Sequence, residues 1–296
     1  VSFVVKLLPQ RNPQPILAGV LIEASDEGLS LAAFDYEASA RTRIEATVDE
    51  PGTILVHGRL LSEIASRLPN APIQITQDAD GEILLTCGSA RFTLAAMPVA
   101  EYPAIPEVSG DSGLVPGDDF STAIAQVAFA ASRDDVTPVL TGVQLEVTGN
   151  ELSLVATDRY RVALREIRFD SGAVAREEST TALVPARTLT EVGKTFAHSG
   201  DIQVSFSGSG DREIIAFTAG NKTVTSLLIK GNFPPVRRLF PAQTEHYAVV
   251  NTAELAEAVR RVSLVLDRSA PLRFTFSSEG VSMDAAGTEQ ARATES

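Results

Sequence analysis

The chain has 296 residues, 44% of them hydrophobic, and 25 lysines and arginines against 38 aspartates and glutamates give a formal charge of −13. That length predicts two or three domains with real cores, and no apolar run approaches the ~18 residues of a membrane-spanning helix. The one cysteine, Cys87, and three scattered histidines exclude an intramolecular disulfide framework and argue against a zinc site.

In chain order, the first eight residues read as the tail of a helix, and the chain begins with Val, not Met. Strand-like stretches follow, then a helix over 59–68 with Leu60, Leu61, Ile64, Ala65 and Leu68 as its buried stripe. Turn-rich residues at 107–113 predict a linker. A helix then starts at Asp118 and Asp119, which supply N-terminal charge or a cap, and buries Phe120, Ile124, Val127 and Ala128. Strands are expected at 142–147, 152–156 and 162–169, a second helix at 186–196, and further strands at 202–206, 213–219 and 223–229. A second linker falls at 242–245. The expected order in one module is helix, three strands, helix, three strands, so each module reads as a doubled half-module.

The same elements recur. Pro15-Ile16-Leu17-Ala18-Gly19-Val20-Leu21 and Leu29-Ser30-Leu31-Ala32-Ala33-Phe34-Asp35 reappear 123 residues later as Pro138-Val139-Leu140-Thr141-Gly142-Val143-Gln144 and Leu152-Ser153-Leu154-Val155-Ala156-Thr157-Asp158. The segment 54–59 answers 182–187, and 87–93 answers 219–225. Each copy closes on an aromatic-proline step, Tyr102-Pro103 and Phe233-Pro234. A third copy begins near Thr252 and is carried as far as 280–285. A module of about 130 residues is thus present twice and begun a third time. The expected domains are 1–110, 114–242 and 245–296, with the first lacking its N-terminal part and the third its C-terminal part.

No phosphate loop, dinucleotide fingerprint or nucleophile elbow occurs. His57, His198 and His246 show no partner carboxylate at motif spacing and read as surface or structural histidines. Asp35 and Asp158 hold the same place in two modules. They read either as a catalytic pair or, more simply, as turn residues whose carboxylates bond nearby backbone N–H groups. The chain therefore reads as a binding scaffold with no catalytic residue, no cofactor and no metal. An acidic total argues against a nucleic-acid partner, yet binding depends on where the basic residues sit.

The segments Ala156-Thr157-Asp158-Arg159-Tyr160-Arg161-Val162-Ala163 and Gly231-Asn232-Phe233-Pro234-Pro235-Val236-Arg237-Arg238-Leu239-Phe240-Pro241, with Pro15-Ile16-Leu17 and Phe34-Asp35-Tyr36-Glu37, resemble the bacterial replicative sliding clamp, the beta subunit of DNA polymerase III. The wording Arg133-Asp134-Asp135 is most similar to clamps of high-GC Gram-positive bacteria. The resemblance implies an α+β fold of three clamp domains, each with two helices packed on antiparallel sheets. It further implies a cytoplasmic, head-to-tail homodimeric ring that encircles duplex DNA without reading its sequence and confers processivity on the polymerase. Partner peptides of the polymerase, the clamp loader and repair proteins are expected in a groove between domains two and three, at Leu140, Thr157, Arg159, Tyr160, Arg161, Val162, Pro234, Arg238 and Leu239. DNA contacts are expected at Arg11, Arg59, Arg67, Arg133, Arg187, Lys194 and Arg260, and the domain-one side of the dimer contact at Leu68, Arg91, Phe92 and Leu94. The alternative is a clamp-derived peptide binder or resistance variant that does not encircle DNA.

Overall fold

The structure is a computed structural model and describes residues 1–6, 14–108, 110–172, 179–207, 213–266, 270–286 and 292–295. They form two compact units, Val1–Arg237 and Arg238–Ser296.

In the first unit, helix α1 (Ser2–Lys6) precedes a 3-10 turn at Pro15–Ala18 and strands β1 (Gly19–Ser25), β2 (Gly28–Phe34), β3 (Ala38–Ile44) and β4 (Gly52–His57). Helix α2 (Gly58–Ala65) and strands β5 (Ile73–Gln77), β6 (Ile83–Cys87) and β7 (Ala90–Leu94) complete the first module. The second module runs β8 (Asp111–Pro116), α3 (Gly117–Val127), a 3-10 turn at Pro138–Thr141, β9 (Gly142–Thr148), β10 (Glu151–Thr157), β11 (Val162–Arg168), β12 (Thr180–Pro185), α4 (Ala186–Phe196), β13 (Asp201–Ser207), β14 (Ile214–Ala219) and β15 (Lys222–Leu227). Apolar residues at helical spacing put one face of each helix inward. Phe120, Ala123, Ile124 and Val127 of α3 and Leu189, Val192 and Phe196 of α4 meet the sheets in one core. Phe120 stacks on Phe217 of β14 with ring centroids 5.7 Å apart. Phe3 of α1 packs against both this core and that of the first module.

The strand before each helix crosses over. β8, ahead of α3, pairs with β13 of the second half, while β12, ahead of α4, pairs with β9 of the first. This exchange ties two half-modules into one module and supports the doubled reading. It also corrects it, because each half of module two has four strands, not three. The strand β8 replaces part of the linker expected at 107–113, because its backbone groups are taken up by β13. α2 ends at Ala65, short of Leu68, and Leu60, expected in its buried stripe, is 47% exposed. No side chain caps α3. Instead Asp118 accepts the backbone N–H of His198 at 3.2 Å and its imidazole Nδ1 at 2.7 Å, pinning the start of α3 to the end of α4. His198 is thus an exposed structural histidine, and its carboxylate partner lies 80 residues away, far from any motif spacing. His57 caps α2 by accepting the N–H of Leu60.

The two modules share a sheet. β3 pairs with β15, giving one eight-stranded antiparallel sheet in the order β4-β1-β2-β3-β15-β14-β13-β8. At this seam Ala40 faces Val224, and the buried hydroxyls of Ser39 and Thr225 meet at 2.5 Å. Asn221 and Leu227 extend it, the first through Arg43 and the second through the carbonyl of Glu37. Modules one and two are thus joined by a backbone ladder, with 107–113 outside that joint.

In the second unit, α5 (Thr252–Val262) is capped by Asn251, whose side chain accepts the N–H groups of Ala253 and Glu254. Strands β16 (Leu272–Ser277), β17 (Gly280–Ala286) and β18 (Arg292–Glu295) form a sheet with β17 central. Arg261 of α5 pairs with Glu295 of β18. Ala258, Val262, Met283 and Ala285 make a small core.

Candidate functional site

One turn occurs twice and is used differently. After β2, Asp35 Oδ1 accepts the N–H groups of Glu37 and Ala38 at 2.9 and 2.7 Å; after β10, Asp158 Oδ1 accepts those of Tyr160 and Arg161, both at 3.1 Å. The residue after each aspartate is left-handed, with φ 73° at Tyr36 and 81° at Arg159. Both carboxylates therefore serve the turn, as the simpler of the two readings expects. At Asp158 slight burial pushes the carboxyl up. The Arg161 and Tyr160 N–H groups and the Arg161 guanidinium outweigh that and hold it below the usual carboxylate range.

The flanking residues make the difference. In module one Phe34 turns inward onto Leu55 and Tyr102 and fills the space beside the turn. The Tyr102 hydroxyl accepts the Phe34 N–H at 2.8 Å and donates to the Gly19 carbonyl. In module two Thr157 and Phe233 stand at these places. The Thr157 hydroxyl, in place of the Phe34 ring, donates to the Arg161 carbonyl at 2.7 Å.

Around this second turn several expected residues come together. Arg159 donates to Thr137 Oγ1 at 2.7 Å, tying the turn to the segment that carries the buried Leu140. Arg161 is held by Asp158 at 3.0 Å and lies over the Phe129 ring, 5.2 Å from its centroid. Tyr160 is 96% exposed. Val162 and Pro234 are half-buried, and the adjacent Arg237 bonds Glu166 of β11 at 2.7 Å, which holds the proline segment against that strand. Phe129 and Val136, both exposed, were missed in the sequence. The available signal was that Phe129 lies off the buried stripe of α3. Arg238 and Leu239 are exposed and belong to the second unit.

Of the expected basic residues, Arg59 and Arg67 lie at the two ends of α2, Arg133 in the loop after α3, and Arg187 and Lys194 on the outer face of α4; all are exposed. Arg187 and Lys194 line one cleft of about 430 Å³ with Lys6, Asp35, Glu37 and Glu191. Arg260 of α5 pairs with Glu257. Arg11 lies outside the described residues. On β7, Arg91 and Phe92 are exposed, but Leu94 points into the first core and Leu68 packs against it. Leu94 therefore backs the edge and does not form its surface.

Among the described residues no group of acidic, histidine or cysteine side chains is arranged to hold a metal, and no helix is long and apolar enough to cross a membrane. An α+β module used repeatedly, with helices packed on antiparallel sheets and one sheet shared by modules one and two, defines the DNA-clamp class of scaffold. The family models agree throughout: the N-terminal domain of the DNA polymerase III beta subunit matches residues 1–106, the central domain 114–235 and the C-terminal domain 237–296. The chain belongs to the DNA polymerase III beta subunit family and is a DNA sliding clamp. It is 44% identical over its whole length to the beta sliding clamp of Micrococcus luteus, covering 94% of that protein. It is 43% identical to that of Streptomyces coelicolor, covering 78%. These are high-GC Gram-positive organisms, as the loop wording suggested. The beta sliding clamp homolog GriR of Streptomyces muensis is 37% identical over 99% of the chain and is itself covered to 78%, a lower identity than either beta sliding clamp, and the alternative of a variant that does not encircle DNA is not favoured over a sliding clamp. A Pseudomonas aeruginosa beta subunit superposes with a TM-score of 0.89 at 27% identity, covering 99% of this chain and 79% of that one. A clamp of the same species bound to griselimycin gives 0.87 at 26%, with the same coverage.

Proposed function

We propose that two copies of this protein join head to tail into a ring around duplex DNA in the cytoplasm, and that the module-two turn docks short peptides of the polymerase, the clamp loader and repair proteins. The ring catalyses no reaction; it raises the local concentration of its partners at the template.

The observation that carries this reading is the β3–β15 seam. There the third strand of one module pairs with the last strand of the next, and the corresponding edges recur in modules one and three. β7 is the module-one counterpart of β15, and β18 the module-three counterpart of β3. A copy of this seam between β18 of one subunit and β7 of another makes a heterologous contact that closes with two subunits. Transferring the register of the seam places Phe92 opposite the partner's Ala293, as Val224 faces Ala40. Pairing also removes the exposed β7 edge, a liability in a lone chain.

Phe92→Asp puts a charge into that contact without touching either core. The expected outcome in sedimentation and clamp-loading assays is a folded monomer that is no longer retained on circular DNA. A variant that stays dimeric and retained overturns the head-to-tail register.

A further inference from the structure

The helix faces assigned to DNA are not uniformly basic. On α4, Lys194 Nζ lies 2.8 Å from Glu191 Oε1, and on α5 Arg260 bonds Glu257. In both cases the carboxylate stands three residues ahead of the cation, on a different helix in a different unit. The cleft beside α4 repeats the balance, with Lys6, Arg187 and Lys194 set against Asp35, Glu37 and Glu191.

Stability does not account for these pairs, since exposed i,i+3 ion pairs contribute between nothing and about 1 kcal/mol. A high-affinity phosphate site does not account for them either, because a carboxylate repels phosphate and occupies the cation it would bind. Their physical effect is competition. Lys194 or Arg260 must leave its own glutamate to reach a phosphate, so each contact is weakened and fewer counterions are released in forming it.

We infer that Glu191 and Glu257 attenuate the grip on duplex DNA, keeping each phosphate contact weak so that the ring moves along the helix instead of staying at one place. The inference rests on the proposed DNA-facing role of α4 and α5.

The test uses the full chain carrying Glu191→Gln, alone and with Glu257→Gln. Glu151→Gln, an exposed residue at the start of β10, is the control for the loss of one negative charge. Binding to a short linear duplex is followed by fluorescence anisotropy over a range of salt, and diffusion of loaded rings on stretched DNA by single-molecule tracking. Glu191→Gln should raise affinity at low salt up to about fivefold, the factor that an exposed ion pair corresponds to. It should steepen the log–log salt slope by up to about 0.9 for the cation released, and slow diffusion, with an unchanged melting temperature. The double variant should go further in each respect. No change, or an equal change in Glu151→Gln, overturns the inference if Arg187→Ala with Lys194→Ala still weakens binding. If that last pair also leaves binding unchanged, the DNA-facing assignment itself fails and the inference falls with it.

Discussion

Tyr102 and Phe233 stand at the same place in successive modules, and a single hydroxyl separates them. In module one that hydroxyl holds the Phe34 N–H and the Gly19 carbonyl, and burial pushes its pKa up to about 12. Tyr102→Phe should cost about 1–3 kcal/mol, since it leaves a buried donor unpaired; denaturant unfolding measures this. The sign with pH follows. A raised phenol pKa adds stability that is full below about pH 10, the value of a free phenol, and fades as pH rises toward 12. The wild type should therefore lose its advantage over the variant in that window. In module two Thr157 replaces Phe34 and bonds the Arg161 carbonyl within the same turn. Leu140→Ala and Arg161→Ala should each weaken a polymerase-derived peptide about tenfold or more in calorimetry, the scale of a truncated hot spot. Unchanged affinity for both would remove this surface from the peptide site. The two turn aspartates were legible in the sequence because their bonds reach only two and three residues ahead. The Asp118–His198 pair was not, because 80 residues separate its members.

At the scale of elements, hydrophobic periodicity placed α4 and most strands of module two within a residue or two of their observed ends, as expected where the apolar pattern is long. Composition misled at 107–113. Its glycines and serines read as a linker, yet Gly113 is a packing residue of β8. A Cβ there would sit 2.2 Å from the Phe169 ring and 2.8 Å from the Asp170 carbonyl. Phe169 is fully buried, so neither neighbour can give way. Gly113→Ala should destabilise the protein by about 1–3 kcal/mol, the range for an overpacked core, seen as a lower denaturation midpoint with an unchanged slope. A midpoint equal to wild type would mean that β8 is peripheral. Leu60 shows the converse error. It fits the apolar pattern of α2 but faces outward, because it lies about 100° round the helix from Leu61, at the edge of the face that Leu61 and Ile64 bury.

For the whole molecule, the acidic total and the DNA partner are compatible because charge is local. Arg59, Arg67, Arg187, Lys194 and Arg260 lie on or beside helices, while the net −13 is a sum over the entire chain. The sequence by itself determined the repeated module, the absence of catalytic motifs and the family, since these are properties of order and spacing along the chain. The sequence also set the proposed peptide site in module two through the resemblance; tertiary structure alone decided how the module-one turn is filled and how the modules join. The first depends on whether Phe34 and Tyr102 meet across 68 residues to fill the space beside the turn. The second depends on β3 finding β15 some 180 residues on, a ladder of backbone groups that no side-chain pattern records.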